Sequence, residues 1–140
     1  MRTVVVDASV VLEALLHPGE ARDLLASSDP QAPHLLDLEV VSVLRRQGRA
    51  GRLDEPQAWT LLQVYGHLSI RRHATRGLLP MIWRLRHNIT AYDAAYVALA
   101  HSLGCPLVTL DQPLASAPQL PCSVELISPV SANRPAVDPP

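Results

Sequence analysis

The chain opens with a β-branched apolar run, "TVVV" at residues 3–6, that stops at Asp7. From there "ASVVLEALL" places apolar residues at helical spacing, so the pattern predicts a buried strand feeding a helix. Pro18 and Gly19 end that helix. A second helix is predicted from about Glu20 to Ala26, closed by the loop "SSDPQAP". "HLLDLEVVSVLRRQGRAG", residues 34–51, reads as a longer helix. At about 100° per residue it turns Leu36, Val40, Val43 and Leu44 inward and Arg45, Arg49 and Arg52 outward. Gly48 and Gly51 fray its end.

Asp54 and Glu55 ahead of Pro56 form a helix-start signal for "PQAWTLLQVYGHL". "SIRRH" (69–73) is a weak strand pattern, and a helix is predicted over about 77–87 with Pro80 in its first turn. Thr90 can cap the next helix, 91–103, which Gly104 closes. "PLVTL" (106–110) predicts a strand, "DQPLA" a turn opening a short helix, and "SVELI" (123–127) a last strand. Strands alternating with helices predict an α/β domain whose parallel sheet is covered on both faces. Ligands of such sheets bind beyond the carboxyl ends of the strands.

The 140 residues, 48% of them apolar, are expected to form one domain, residues 1–128. The ending 129–140 is rich in Pro and small residues and is expected to be flexible. No stretch reaches the roughly 20 uncharged apolar residues that a membrane span needs, and no cleavable leader pattern is present. A cytoplasmic location without membrane contact is therefore expected. Cys105 and Cys122 lack metal-ligand spacing, each opens a predicted strand, and both are expected to be buried free thiols.

The net charge of −1 conceals a segregation, because residues 45–86 hold nine Arg against two acids while the rest of the chain holds three Arg against eleven acids. One face is thus suited to a polyanion, although arginines also simply solvate outward helix faces. Lysine is absent, which excludes every mechanism that requires one.

Four acids, Asp7, Glu39, Asp93 and Asp111, sit against apolar runs. Singly, each has a structural explanation. Asp7 or Asp111 can cap the helix that follows it, Asp93 can complete a capping box begun by Thr90, and Glu39 can favour the positive end of its helix. Yet Asp93 shares a stripe with Tyr96, Val97 and Ala100, which points it into the domain. Glu39 lies on one border of its apolar stripe and Asp37 on the other, so periodicity leaves the choice between them open. Several ionised carboxylates in one partly desolvated pocket repel one another unless a cation compensates them. Oxygen-only ligands suit Mg²⁺ or Mn²⁺, and none of the six histidines has the spacing of a metal pair. A divalent cation held by carboxylates can activate water against a phosphodiester, with the arginine-rich face holding the backbone.

"VVVDASV", "LLDLEVVSVLRR" and "TAYDAAYVALAHSLGCPLVTLDQPLA" together resemble the ordered acidic motifs of PIN-domain ribonucleases, specifically the VapC toxins of bacterial toxin–antitoxin pairs. The resemblance covers about residues 3–127. Its last block is the most specific, with Tyr92 and Asp93 ahead of "AAYVALA", a Gly-terminated helix, then Thr109 and Asp111. The resemblance implies that Asp7, Glu39, Asp93 and Asp111 are the metal-site acids, and so it chooses Glu39 over Asp37. It implies supporting roles for Ser9 and Thr109. It further implies a three-layer α/β/α sandwich with a mainly parallel sheet, a homodimer, Mg²⁺ or Mn²⁺ as cofactor, single-stranded or structured RNA as substrate and a cognate VapB-type antitoxin. Arg45, Arg46, Arg49 and Arg52 are the candidate RNA contacts. Asp111, opening a turn before a Pro, has the best competing explanation as a cap.

Receiver domains and haloacid-dehalogenase-like phosphatases also place acids at the end of a parallel sheet. Both normally use a lysine, absent here, and the latter wants a second Asp where Ser9 stands. From a different class, a non-catalytic PIN-like module that binds RNA or protein without cutting is the alternative.

Overall fold

The computed structural model describes residues 1–130. Five parallel strands, β1 (Thr3–Val6), β2 (Asp29–Pro33), β3 (Arg71–His73), β4 (Leu107–Thr109) and β5 (Val124–Leu126), form one sheet in the order β3-β2-β1-β4-β5. Seven α-helices connect them: α1 (Ala8–Leu16), α2 (Glu20–Ser27), α3 (Leu35–Arg49), α4 (Glu55–Gly66), α5 (Leu79–Arg84), α6 (Ala91–Leu103) and α7 (Gln112–Ala115).

The strand order runs outward from β1 to β3, then returns past β1 to β4 and β5. Right-handed crossovers therefore put α1 to α4 on one face and α5 to α7 on the other, which is the expected three-layer α/β/α sandwich. The reversal falls between β1 and β4, where the connections leave to opposite faces and open a crevice at the strands' carboxyl ends. Asp7 ends β1 and Asp111 follows β4, so the topology sets both acids beside that crevice. The core is centred on Val4, Val5, Val6, Val97, Leu107 and Val108, all essentially inaccessible to solvent. Each such side chain contributes about 1.5–3 kcal/mol by leaving water.

The segment expected to be a loop, "SSDPQAP", instead supplies β2, the strand beside the central one. Its prolines hide it from a β-branched pattern, yet both fit the ladder. The Asp29 amide donates toward β1, to the Arg2 carbonyl at 2.8 Å, and the His34 amide toward β3, to the His73 carbonyl at 3.0 Å. By alternation Pro30 faces β3 ahead of that ladder's first pair, Gln31 with Arg71. Pro33 faces β1 beyond its last pair, Gln31 with Val5. Neither removes a donor that the sheet needs.

The helix predicted over 77–87 is also shorter. A 3₁₀ turn at Arg76–Leu78 precedes α5, and Pro80 does lie in the first turn of that helix. After Arg84 the amides of Arg86 and Asn88 bond three residues back, to the Trp83 and Leu85 carbonyls, so the chain tightens into turns. Elsewhere the start and stop signals act as written. Asp54 and Gln57 close a capping box on α4, Thr90 accepts from the Asp93 amide, and Gly104 ends α6 in the left-handed conformation at φ 64°.

Cys105 and Cys122 are free but half-buried rather than buried. Burial raises both thiols, Cys122 to about 11. The tail expected to be flexible falls outside the described residues from 131 onward. Of its two described residues, Val130 lies against α1, its amide donating to a Glu13 carboxylate oxygen at 2.7 Å. Among the described residues no helix is long and apolar enough to cross a membrane.

Candidate active site

Asp7 is the most enclosed of the acids, at 8% exposure. Its position follows from sequence: a strand of valines buries it, and the turn into α1 bends the chain so that its own carboxylate caps the helix. One oxygen accepts from the Ser9 hydroxyl at 2.5 Å and from the amides of Ser9 and Val10 at 3.1 and 3.3 Å. The other accepts from the Thr109 hydroxyl on β4. Ser9 in turn accepts from the Leu110 amide at 3.0 Å, and Thr109 from the Asp111 amide at 3.0 Å. The two hydroxyls thus bridge β1 to the loop after β4 and fix the carboxylate between them. Burial raises the Asp7 pKa even against these donors.

Glu39 and Asp37 separate clearly. The Tyr96 hydroxyl, buried on α6, donates to Glu39 Oε1 at 2.5 Å. Burial raises the Glu39 pKa, the charges of Asp7 and Asp93 add to the rise, and Tyr96 and Arg46 oppose it. Asp37 points elsewhere. It accepts from the Tyr65 hydroxyl at 2.5 Å and from Arg72 Nε and a terminal guanidinium nitrogen at 3.1 and 2.9 Å. Burial opposes ionisation there, but those donors hold the Asp37 carboxyl below its usual range.

Asp93 stands in the first turn of α6, where Thr90 caps the helix by accepting the Asp93 amide at 3.2 Å. Burial raises the Asp93 pKa, repulsion from Asp111 and Asp7 adds to the rise, and the Thr90 hydroxyl opposes it. Asp111 does act as the cap of α7, accepting the Leu114 amide at 3.1 Å, while its charge reaches Asp93. The charges of Asp7 and Asp93 thus reach Glu39, and those of Asp7 and Asp111 reach Asp93, so the four predicted acids are linked through Asp93, and Asp111 combines this with its capping of α7.

Among the described residues none of the four takes part in an ion pair; the pairs formed are Arg2–Glu125 and Arg72–Asp37. An all-oxygen set, repelling internally and held in no ion pair, fits Mg²⁺ or Mn²⁺. Among the described residues no three His, Cys, Asp or Glu side chains form a ready-made cage. Mg²⁺ does not require such a cage, because waters fill much of its coordination shell.

The candidate RNA contacts divide. Arg46 lies seven residues after Glu39 on α3, along the same stripe, and its charge reaches that carboxylate. Arg45 and Arg49 line a different feature, a groove of about 610 Å³ between α3 and α4 beside Val41 and Trp59. Arg52 is exposed past the end of α3. One site residue escaped the sequence pattern, Tyr96, and so did Tyr65 and Arg72, which hold Asp37 apart from the other acids. The only signal for Tyr96 was its shared helical stripe with Asp93.

Similarity to known proteins accords with this geometry. The family model described as "PIN domain" matches residues 4–120. The VapC ribonuclease Mb0985 of Mycobacterium bovis is 43% identical over 124 residues, covering 89% of this chain and 98% of that one. Ribonuclease VapC1 of Mycobacterium tuberculosis is 46% identical over 129 residues, covering 88% and 96%. Among solved structures, VapBC2 from Rickettsia felis, bound to a promoter DNA fragment, superposes with a TM-score of 0.67 at 14% identity, covering 90% of this chain and 99% of the other. VapC20 of Mycobacterium tuberculosis, described as a sarcin-ricin loop cleaving toxin, gives 0.59 at 20% identity, covering 81% and 93%. By both its matched residues and its identity to these relatives, the chain belongs to the PIN-domain family and, within it, to the VapC ribonucleases.

Proposed function

We propose that the protein is the toxin of a toxin–antitoxin pair, a Mg²⁺- or Mn²⁺-dependent endoribonuclease that hydrolyses RNA phosphodiester bonds. The observation that supports this reading is the electrostatic linkage of Asp7, Glu39, Asp93 and Asp111, none of them in an ion pair among the described residues. The names of its VapC relatives support the reaction class. Asp7, Glu39 and Asp93 would hold the metal and Asp111 would support it. When bound, the metal supplies an activated water and stabilises charge on the leaving oxygen. The chain's own contribution is orientation: Ser9 and Thr109 fix Asp7, and Tyr96 fixes Glu39 while leaving its second oxygen free. Arg46, whose charge reaches Glu39, would neutralise a phosphate beside the acids, and Arg45, Arg49 and Arg52 would contact RNA from other surfaces of α3 and the turn after it. A cognate VapB-type antitoxin, a homodimeric state and a cytoplasmic location complete the proposal.

The test is cleavage of a mixed small-RNA pool by antitoxin-free protein with Mg²⁺, Mn²⁺ or EDTA. Wild type should give defined products with metal and none with EDTA. Glu39→Gln should be silent. Asp37→Ala should still cleave, although its stability should fall by about 1 kcal/mol because Tyr65 and Arg72 lose their acceptor. An inactive Asp37→Ala beside an active Glu39→Gln would reverse the assignment. Tight RNA binding by a folded wild type that never cuts would return the chain to a non-catalytic binding module.

Tyr96→Phe removes only the donor to Glu39. Mn²⁺ affinity, read by titration calorimetry on the protein alone, should weaken about 10–100-fold, as for other partners that orient ligands. Unchanged Mn²⁺ affinity would make the hydrogen bond a matter of packing alone.

A further inference from the structure

The two carboxylates of α3 are held by other elements from opposite flanks of the helix. At about 100° per residue, Leu36 and Val40 face the core, Asp37 and Glu39 flank them, and Leu38 points outward at 71% exposure. Asp37 is gripped by α4 and β3. One of its oxygens accepts from the Tyr65 hydroxyl at 2.5 Å and from Arg72 Nε and Nη2 at 3.1 and 2.9 Å. Glu39 is gripped by α6 through the Tyr96 hydroxyl. Arg72 is itself fixed: its Nη1 donates to the Ile70 carbonyl at 2.8 Å, and its guanidinium lies over the Tyr65 ring, 5.3 Å from the centroid.

These grips matter because α3 has little of its own to hold its first turn. Its N-cap, His34, makes no side-chain capping bond. The His34 amide donates to the His73 carbonyl at 3.0 Å, which fixes where the helix starts but not its rotation about its axis. Leu36 and Val40 act through apolar burial, which is non-directional. Hydrogen bonds are directional and weaken steeply when bent, so bonds on both flanks set that rotation. A carboxylate about 6 Å from the helix axis moves about 1 Å when the helix turns by about 10°. Site groups must be held within about 0.5 Å. Among the described residues, Arg72 and Tyr65 form no hydrogen bond to Asp7, Glu39, Asp93 or Asp111, so any effect on them passes through Asp37.

We propose that Arg72 and Tyr65 are positioning residues of the metal site: by holding Asp37 they set the rotation of α3 and with it the place of the Glu39 carboxylate. This rests on the metal-dependent reading above and extends the site to two elements, α4 and β3, that carry none of its ligands.

The experiment is Mn²⁺ titration calorimetry on the full chain, metal-free and well below its melting temperature. Arg72→Gln is the decisive variant, because charge and position act in opposite directions. Removing a cation near an acidic site strengthens cation binding by electrostatics alone, whereas a loosened α3 weakens it. Arg72→Gln should bind Mn²⁺ about tenfold more weakly, the lower end of the range for residues that orient metal ligands. Tyr65→Phe changes no charge and should weaken binding in the same direction. Asp37→Asn keeps an acceptor oxygen that Asp37→Ala lacks, and both lose the same charge, so the Asn variant should bind more tightly than the Ala variant. Should Arg72→Gln fail to fold, Tyr65→Phe and the two Asp37 variants decide. Unchanged or tighter Mn²⁺ binding by Arg72→Gln, unchanged binding by Tyr65→Phe, or equal binding by the two Asp37 variants would overturn the positioning role. If wild type binds Mn²⁺ and Glu39→Gln loses it while Arg72→Gln does not, only the positioning role fails; if wild type binds no Mn²⁺, the metal-dependent reading fails with it.

Discussion

Asp93→Asn should abolish metal-dependent RNA cleavage while leaving a folded protein. Loss of a residue that merely orients a metal ligand costs about 10–100-fold, so loss of a ligand should cost at least about 10²-fold. The fold should tolerate it because Thr90 caps α6 through the Asp93 amide, which the substitution keeps. The carboxylate is half-buried and repelled by Asp111 and Asp7, so removing its charge relieves strain in the free protein. The outcome to compare is therefore activity against melting temperature: near-complete loss of one beside no loss of the other. A variant that unfolds would return Asp93 to the role of a structural cap. One that still cleaves would remove it from the site.

What the amino-acid pattern disclosed was whatever is encoded locally. The Thr90 cap, the Gly104 stop and the strand ending at Asp7 are each written within a few neighbouring residues, and each forms as read. The strand β2 was illegible because its fitness is not local: Pro30 and Pro33 are acceptable only given where the ladders of β3 and β1 begin and end. The choice between Glu39 and Asp37 was undecidable for the same reason. Both border one apolar stripe, and what separates them is a tyrosine 57 residues away for one and a tyrosine 28 residues away, with an arginine, for the other. The arginine cluster shows the limit of composition, since charge count grouped four residues that α3 and the turn after it distribute over different surfaces.

The same acids should make the metal-free protein lose stability as pH rises, and a divalent cation should restore it. Asp7, Glu39 and Asp93 all have pKa values raised in the native state, by burial first and, for Glu39 and Asp93, by mutual repulsion. Between the ordinary values of 3.8 and 4.5 and the raised ones, the native protein binds more protons than the unfolded chain. Stability therefore falls as pH climbs through that window, and the penalty is complete above it. Asp37 and Glu125 have lowered values, so their contribution is present at higher pH and disappears only as pH falls below the ordinary carboxylate range. The two effects occupy different windows and can be read apart. At pH 7 the Asp93→Asn variant should melt above metal-free wild type, and the gap should close once the medium is acid enough to protonate Asp93 in both states. Mn²⁺ at about 100 times its dissociation constant should stabilise wild type by about 2.7 kcal/mol, a rise on the order of 10 °C in melting temperature. The variant should gain little. Equal gains in both would mean that the ion acts elsewhere on the surface, and no gain in wild type would mean that these carboxylates are arranged for something other than a metal.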